Sequence, residues 1–243
     1  MTADRRPGYT RRMVHPIAVA ALLTAFLVSA ATAARAQCPL EPGSVETAVV
    51  KKPVSIVYHH DMNGREITHL AGVVPPMGSY HNAGFTASNV NYNLTVEGTT
   101  APAGGPWYCA VLTKAIITLS IPNLDVYVTR DYRKDSCLYT AVLTHELKHV
   151  GNLRDTLEDL IERWKQELRA SSTIAGTTNG HTRQEALNAL KDKLQARLKP
   201  LFFAWKVELE QRDAALDERE SRINEDQLCP SLRKGPGAVQ SSQ

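Results

Sequence analysis

The stretch Cys137–Ala170, CLYTAVLTHELKHVGNLRDTLEDLIERWKQELRA, decides how the rest of the chain is arranged. Apolar residues recur at Leu138, Val142, Leu153, Leu157, Leu160, Trp164 and Leu168, a helical period without a break. Asp135 or Ser136 is placed to cap its first N–H groups. Glu146 and His149 fall on the same stripe, and burying a carboxylate or an imidazole is costly unless each finds a partner or a metal. Gly151 lies off the stripe and need not end the helix.

Inside this helix, His145-Glu146-Leu147-Lys148-His149 reads H-E-x-x-H. Two His four apart on a helix lie one turn above each other, so both rings can reach one ion. His145 and His149 are thus candidate zinc ligands, one Zn2+ per chain. Glu146 is the candidate catalytic base, placed to take a proton from a water that zinc activates. The plainer alternative is a buried His149 hydrogen-bonded to Glu146 or another side chain. Lys148 departs from the zincin pattern, which prefers uncharged residues there. It lies off the apolar stripe and can reach solvent.

Working outward, a loop spans Ser171–Thr182, and a second long helix runs from Arg183 to about Asp226. Its stripe is Leu187, Leu190, Leu194, Leu198, Phe202, Trp205, Leu209, Leu216 and Ile223, with a kink expected at Pro200. The two helices are expected to fold back as an antiparallel hairpin. Turning near Gly176 places 145–149 opposite roughly 204–208. Asp213 and Asp217 then lead as third zinc ligand, with Glu208 behind them. Another route places Asn152 at a turn and Asp155 as ligand, but Asp155 with Glu158 equally resembles a helix cap. Glu162 and Glu167 would need a helix break that the stripe does not show.

Upstream, residues 37–130 read as β. Val54–Tyr58, Asn89–Val96, Ala110–Ile121 and Leu124–Val128 carry strand patterns. Turn chemistry separates them at Asn63-Gly64, Pro75-Pro76 and Pro102–Pro106. Asp125–Thr129, just ahead of the motif helix, is placed to be an edge strand that pairs with extended substrate, and reads equally as a plain structural strand. His59, His60, His69 and His81 fit no ligand spacing and read as solvated loop or strand-end residues. The expected fold is therefore α+β: a small antiparallel or mixed sheet, an active-site helix and a long second helix, zincin-like.

Residues 1–36 read as a cleavable leader. Arg5, Arg6, Arg11 and Arg12 precede an apolar run from Ile17 to Val28, and Ala34-Arg35-Ala36 offers a cleavage site. Export into a bacterial periplasm or beyond follows, with no stable membrane anchor after cleavage. One domain spans 37–229, β-rich over 37–130 and helical over 136–229, and a Gly/Ser/Gln-rich tail at 230–243 is expected to be disordered. The four Cys (38, 109, 137 and 229) suggest two disulfides in an exported chain. Three pairings are open; Cys109–Cys137 with Cys38–Cys229 is the expectation. A net charge of +3 without a basic, aromatic-studded patch excludes a nucleic-acid partner.

The segment Gly84–Val150 resembles a largely uncharacterised family of bacterial secreted proteins described as zinc-dependent proteases. The likeness rests on Gly84-Phe85-Thr86, the Cys109 strand, Ile121-Pro122, and Cys137-Leu138-Tyr139 leading into His145-Glu146-x-x-His149. The helical region to Leu216-Asp217 and Cys229 is also similar. It implies a zincin-like fold, peptidase activity on a peptide or protein substrate, His145 and His149 as ligands, and Glu146 as base. The competing expectation is a non-enzymatic envelope protein, either a degenerate zincin or a helical hairpin that binds a partner.

Overall fold

The structure, a computed structural model, describes residues 38–72, 82–174, 176–220 and 229, with the backbone alone at 172–174. The chain is α+β. In order it forms β1 (Glu46–Lys51), β2 (Val57–His59), α1 (Gly64–Leu70), β3 (Gly84–Ser88), β4 (Asn91–Gly104), β5 (Trp107–Ser120), β6 (Leu124–Val128), α2 (Cys137–Ile174), β7 (Thr177–Gly180) and α3 (Arg183–Glu220). The segment read as a leader, His81, Pro75-Pro76, the chain from 221 to Asp226 and the segment read as a tail lie outside the described residues.

The larger sheet is built on β5, the long apolar run. β4 pairs antiparallel along its length through a turn at Gly104 and Gly105, both at positive φ (97° and 56°), where glycine carries no Cβ penalty. The other edge of β5 is shared. β1 runs parallel to its C-terminal half, and β7 runs antiparallel to its N-terminal half. β7 lies in what reads from sequence as a loop; its four residues, Thr-Thr-Asn-Gly, have no apolar alternation to announce a strand.

The smaller sheet has the order β2-β6-β3, with β2 parallel and β3 antiparallel to β6. Of the two readings of Asp125–Thr129, the edge strand is corrected and the plain structural strand holds. β6 is the central strand, and β3 is an edge. Only the end of the Val54–Tyr58 run enters a strand. Asn63-Gly64 is not a turn between strands but the start of α1: the Asn63 side chain accepts from the Glu66 N–H, and Glu66 accepts from the Asn63 N–H. The Asn-x-x-Glu spacing was the legible signal.

α2 and α3 pack antiparallel on the sheets. Leu153, Leu157, Leu160 and Trp164 from α2 meet Leu190, Leu194, Leu198 and Trp205 from α3 and Leu94, Ile117 and Leu119 from the sheet, all in one buried cluster. Each such side chain contributes about 1.5–3 kcal/mol on burial. Both indoles are satisfied: Trp164 Nε1 donates to the Leu198 carbonyl (3.3 Å) and Trp205 Nε1 to Thr156 Oγ1 (3.1 Å). α3 continues through Pro200, which sits on its exposed side, where water can satisfy the carbonyl that proline leaves without a donor.

Two disulfides form, Cys38–Cys109 and Cys137–Cys229, which replaces the expected pairing. The parallel register Glu46↔Lys114 carries the chain before β1 back along β5 towards Cys109, so Cys38 arrives there. The antiparallel hairpin returns the chain after α3 to the first residue of α2, Cys137. Neither meeting is readable without the register. Disulfides persist in oxidising compartments. Among the described residues no helix is long and apolar enough to cross a membrane.

Candidate metal centre

α2, α3 and β3 line a half-open cavity of about 500 Å3, and each contributes a different chemistry. α2 brings His145, Glu146 and His149 on one face. α3 brings Asp213, Asp217 and Glu220, spaced four and three apart and therefore also on one face. β3 brings its backbone with Gly84 and Thr86.

At the centre three ligand-type atoms converge. Asp217 Oδ1 lies 3.1 Å from His145 Nε2 and 3.0 Å from His149 Nε2, and the two Nε2 atoms are 3.2 Å apart. Ligand atoms bound tetrahedrally to zinc at about 2.0–2.1 Å are about 3.3 Å from one another. The triangle is thus close to the right size, and two imidazoles with one carboxylate are a donor set zinc accepts.

The outer faces of both rings are held. His145 Nδ1 donates to Glu220 Oε2 (2.8 Å), and His149 Nδ1 donates to Asp213 Oδ1 (2.9 Å). A carboxylate on Nδ1 selects the tautomer that leaves the Nε2 lone pair free for a metal. Asn152 also donates to Asp213 Oδ1 (2.9 Å), fixing that carboxylate in turn. Asp213 and Asp217, alternatives in the sequence, therefore occupy different places: Asp217 at the centre, Asp213 behind His149.

Glu146 is buried at 4% exposure and packs against β3. Thr86 Oγ1 lies 2.8 Å from Glu146 Oε2 and donates to it. A Cβ on Gly84 would fall 2.5 Å from Glu146 Oε1 and 2.6 Å from Val142 Cγ1, so only glycine leaves room for the carboxylate. Burial raises the Glu146 pKa; the Thr86 hydrogen bond and the two His oppose this, and Asp217 adds to it. Burial lowers that of His149, but the Asp213 hydrogen bond and the charges of Asp217, Asp213 and Glu146 outweigh it, and the net shift is upward. Burial also acts on Glu220, yet hydrogen bonds from Lys148 and His145 hold its carboxyl below the usual range.

Other candidates stand elsewhere. α2 is unbroken past Gly151 and leaves Asp155 exposed, which removes the turn that its ligand role required. Glu208 is bound by Arg163 and Arg212 (both 2.7 Å); the Arg163 hydrogen bond leads in lowering its pKa, burial opposes it, and the net shift is downward. Glu162 pairs with Lys165 and Glu167 with Arg197. His59 pairs with Asp125 at 2.9 Å, His60 stacks on Tyr139, and His69 is exposed; none of the three lines the cavity. The hairpin register also differs from the sequence expectation. His149 faces Asp213 rather than 204–208, because β7 takes up chain before α3 begins.

Glu220, Thr86 and Gly84 were not assigned roles from the sequence. Glu220 could have been found from its place three after Asp217 on the same helix face. Thr86 and Gly84 had no such signal, since only the packing of β3 on α2 brings them to Glu146.

No family model matches this chain, and no curated protein or solved structure matches it.

Proposed function

We propose that this protein is an exported zinc-dependent metallopeptidase with a zincin-like site. The observation that carries this reading is the convergence of His145 Nε2, His149 Nε2 and Asp217 Oδ1 within 3.0–3.2 Å of one another. Zinc, when bound, would supply Lewis acidity and lower the pKa of a coordinated water. The chain's own residues would do the rest. Glu146, buried beside the triangle with its pKa raised by desolvation, would accept the proton from the attacking water and pass it to the leaving amine. Thr86 would hold that carboxylate in place.

Among the described residues β3 is an edge strand, and its Gly84, Phe85 and Thr86 line the cavity, so an extended peptide pairing with β3 would lie beside the site. This assigns to β3 the role first expected of β6. The two disulfides, and the basic-then-apolar pattern of residues 1–36, support export to a periplasm or beyond.

The test is zinc content and peptide hydrolysis of the purified protein, with Glu146→Ala and His149→Ala beside the wild type. One zinc per chain, lost in His149→Ala, with hydrolysis abolished in Glu146→Ala, is expected. Zinc bound equally but hydrolysis unchanged in Glu146→Ala would make the metal structural. Absence of stoichiometric zinc in the wild type would sink the reading.

A further inference from the structure

Lys148 is the residue that least fits an H-E-x-x-H helix, and the structure gives it a specific neighbour. Its Nζ lies 2.5 Å from Glu220 Oε1, while the other oxygen of the same carboxylate, Oε2, accepts from His145 Nδ1 at 2.8 Å. One carboxylate on α3 therefore bridges a cation and an imidazole one turn apart on α2. The Glu220 side chain is 18% exposed and the Lys148 side chain 48%, so the carboxylate is the inner member and the ammonium closes it from the solvent side.

We propose that Lys148 is a positioning residue for the metal site, acting through Glu220 on His145. This rests on the reading of His145 as a zinc ligand. Three further carboxylates, Glu146, Asp213 and Asp217, line the same cavity. Glu220 would be repelled from them unless a cation held it, and Lys148 is bonded to its far oxygen. With Glu220 so held, Nδ1–H of His145 is fixed on Oε2 and Nε2 is aimed at the triangle. The arrangement mirrors the other side of the site, where Asn152 steadies Asp213 and Asp213 steadies His149. Each ligating His thus has a carboxylate behind it and a donor behind that carboxylate. Lys148 fills on one side the place that Asn152 fills on the other.

A surface ion pair between two helices is the plain alternative, and such pairs contribute little. The two readings separate in a charge swap. Lys148→Glu with Glu220→Lys keeps an ion pair between α2 and α3 but removes the carboxylate from His145 Nδ1.

The experiment is zinc affinity by competition with a chromophoric chelator, together with thermal stability and the 15N shifts of the His145 ring. Glu220→Gln is expected to weaken zinc binding by about 10–100-fold, as loss of an outer carboxylate does elsewhere. Lys148→Met should weaken it about tenfold and broaden the His145 Nδ1–H signal, while Lys148→Arg stays close to wild type. The swapped pair should recover thermal stability without recovering zinc affinity. Wild-type affinity in Lys148→Met, or full recovery in the swap, would overturn the positioning role while leaving the zinc site standing. A wild type that binds no zinc would overturn the zinc reading and this role with it.

Discussion

Gly84→Ala would test how tightly β3 sets the candidate base. The new Cβ would fall 2.5 Å from Glu146 Oε1, 2.9 Å from Glu146 Cγ and 2.6 Å from Val142 Cγ1. Ordinary contact begins near 3.4 Å, so the carboxylate must retreat by about 0.9 Å or the strand must lift. Retreat is hindered because Thr86 Oγ1 grips Oε2 at 2.8 Å and the side chain is 4% exposed. Overpacking of this kind costs roughly 1–3 kcal/mol. A misplacement near 1 Å at a reacting group can cost about 100-fold in rate. The zinc-loaded variant should therefore lose about two orders of magnitude in peptide hydrolysis and melt a few degrees lower. Its zinc affinity should be nearly unchanged, because the closest contacts of the new methyl are with Glu146 and Val142 rather than with His145, His149 or Asp217. Turnover equal to wild type at an equal zinc load would refute the account of Glu146 as a base held by β3.

The carboxylates of the site, the His149 ring and the disulfides each set further outcomes. Asp217→Asn should abolish stoichiometric zinc, whereas Asp213→Asn should retain it with about 10–100-fold weaker affinity; equal losses measured by chelator competition would erase the distinction between the two carboxylates. In zinc-free protein the raised pKa of His149 means that its cation contributes stability fully below the unfolded value of about 6.5, and this contribution is lost as pH rises through the folded value. Zinc needs the neutral ring, so its affinity should change the opposite way, falling as pH drops below that folded value. Denaturant titrations of chelated protein, wild type against His149→Gln, check the first half, and a proton release on zinc binding checks the second. Removing Cys137–Cys229, which closes a separation of 92 residues, should cost on the order of 2–5 kcal/mol. Peptide mapping of the unreduced protein should recover Cys38 with Cys109 and Cys137 with Cys229, and any other pairing would contradict the strand register.

Much is legible in the sequence alone, because it rests on periods within one segment. The stripe through Leu153, Leu157, Leu160 and Trp164 marks α2 as one continuous helix, and the spacing of His145 and His149 places both on one face. The strand Leu124–Val128 and the helix start at Arg183 are likewise local. α1 was missed although its Asn63/Glu66 capping box is local too, since Asn-Gly also marks a turn.

What the sequence by itself determined about this protein is therefore the α+β class, the two long helices and the H-E-x-x-H face. Only the tertiary structure decided the rest: which strand is the edge, which Cys meet, and which carboxylate stands between the two imidazoles. Those depend on registers between segments far apart in the chain. A shift of one helical turn in the α2–α3 packing would exchange Asp213 for Asp217 at His149, yet leave every period in the sequence as it is.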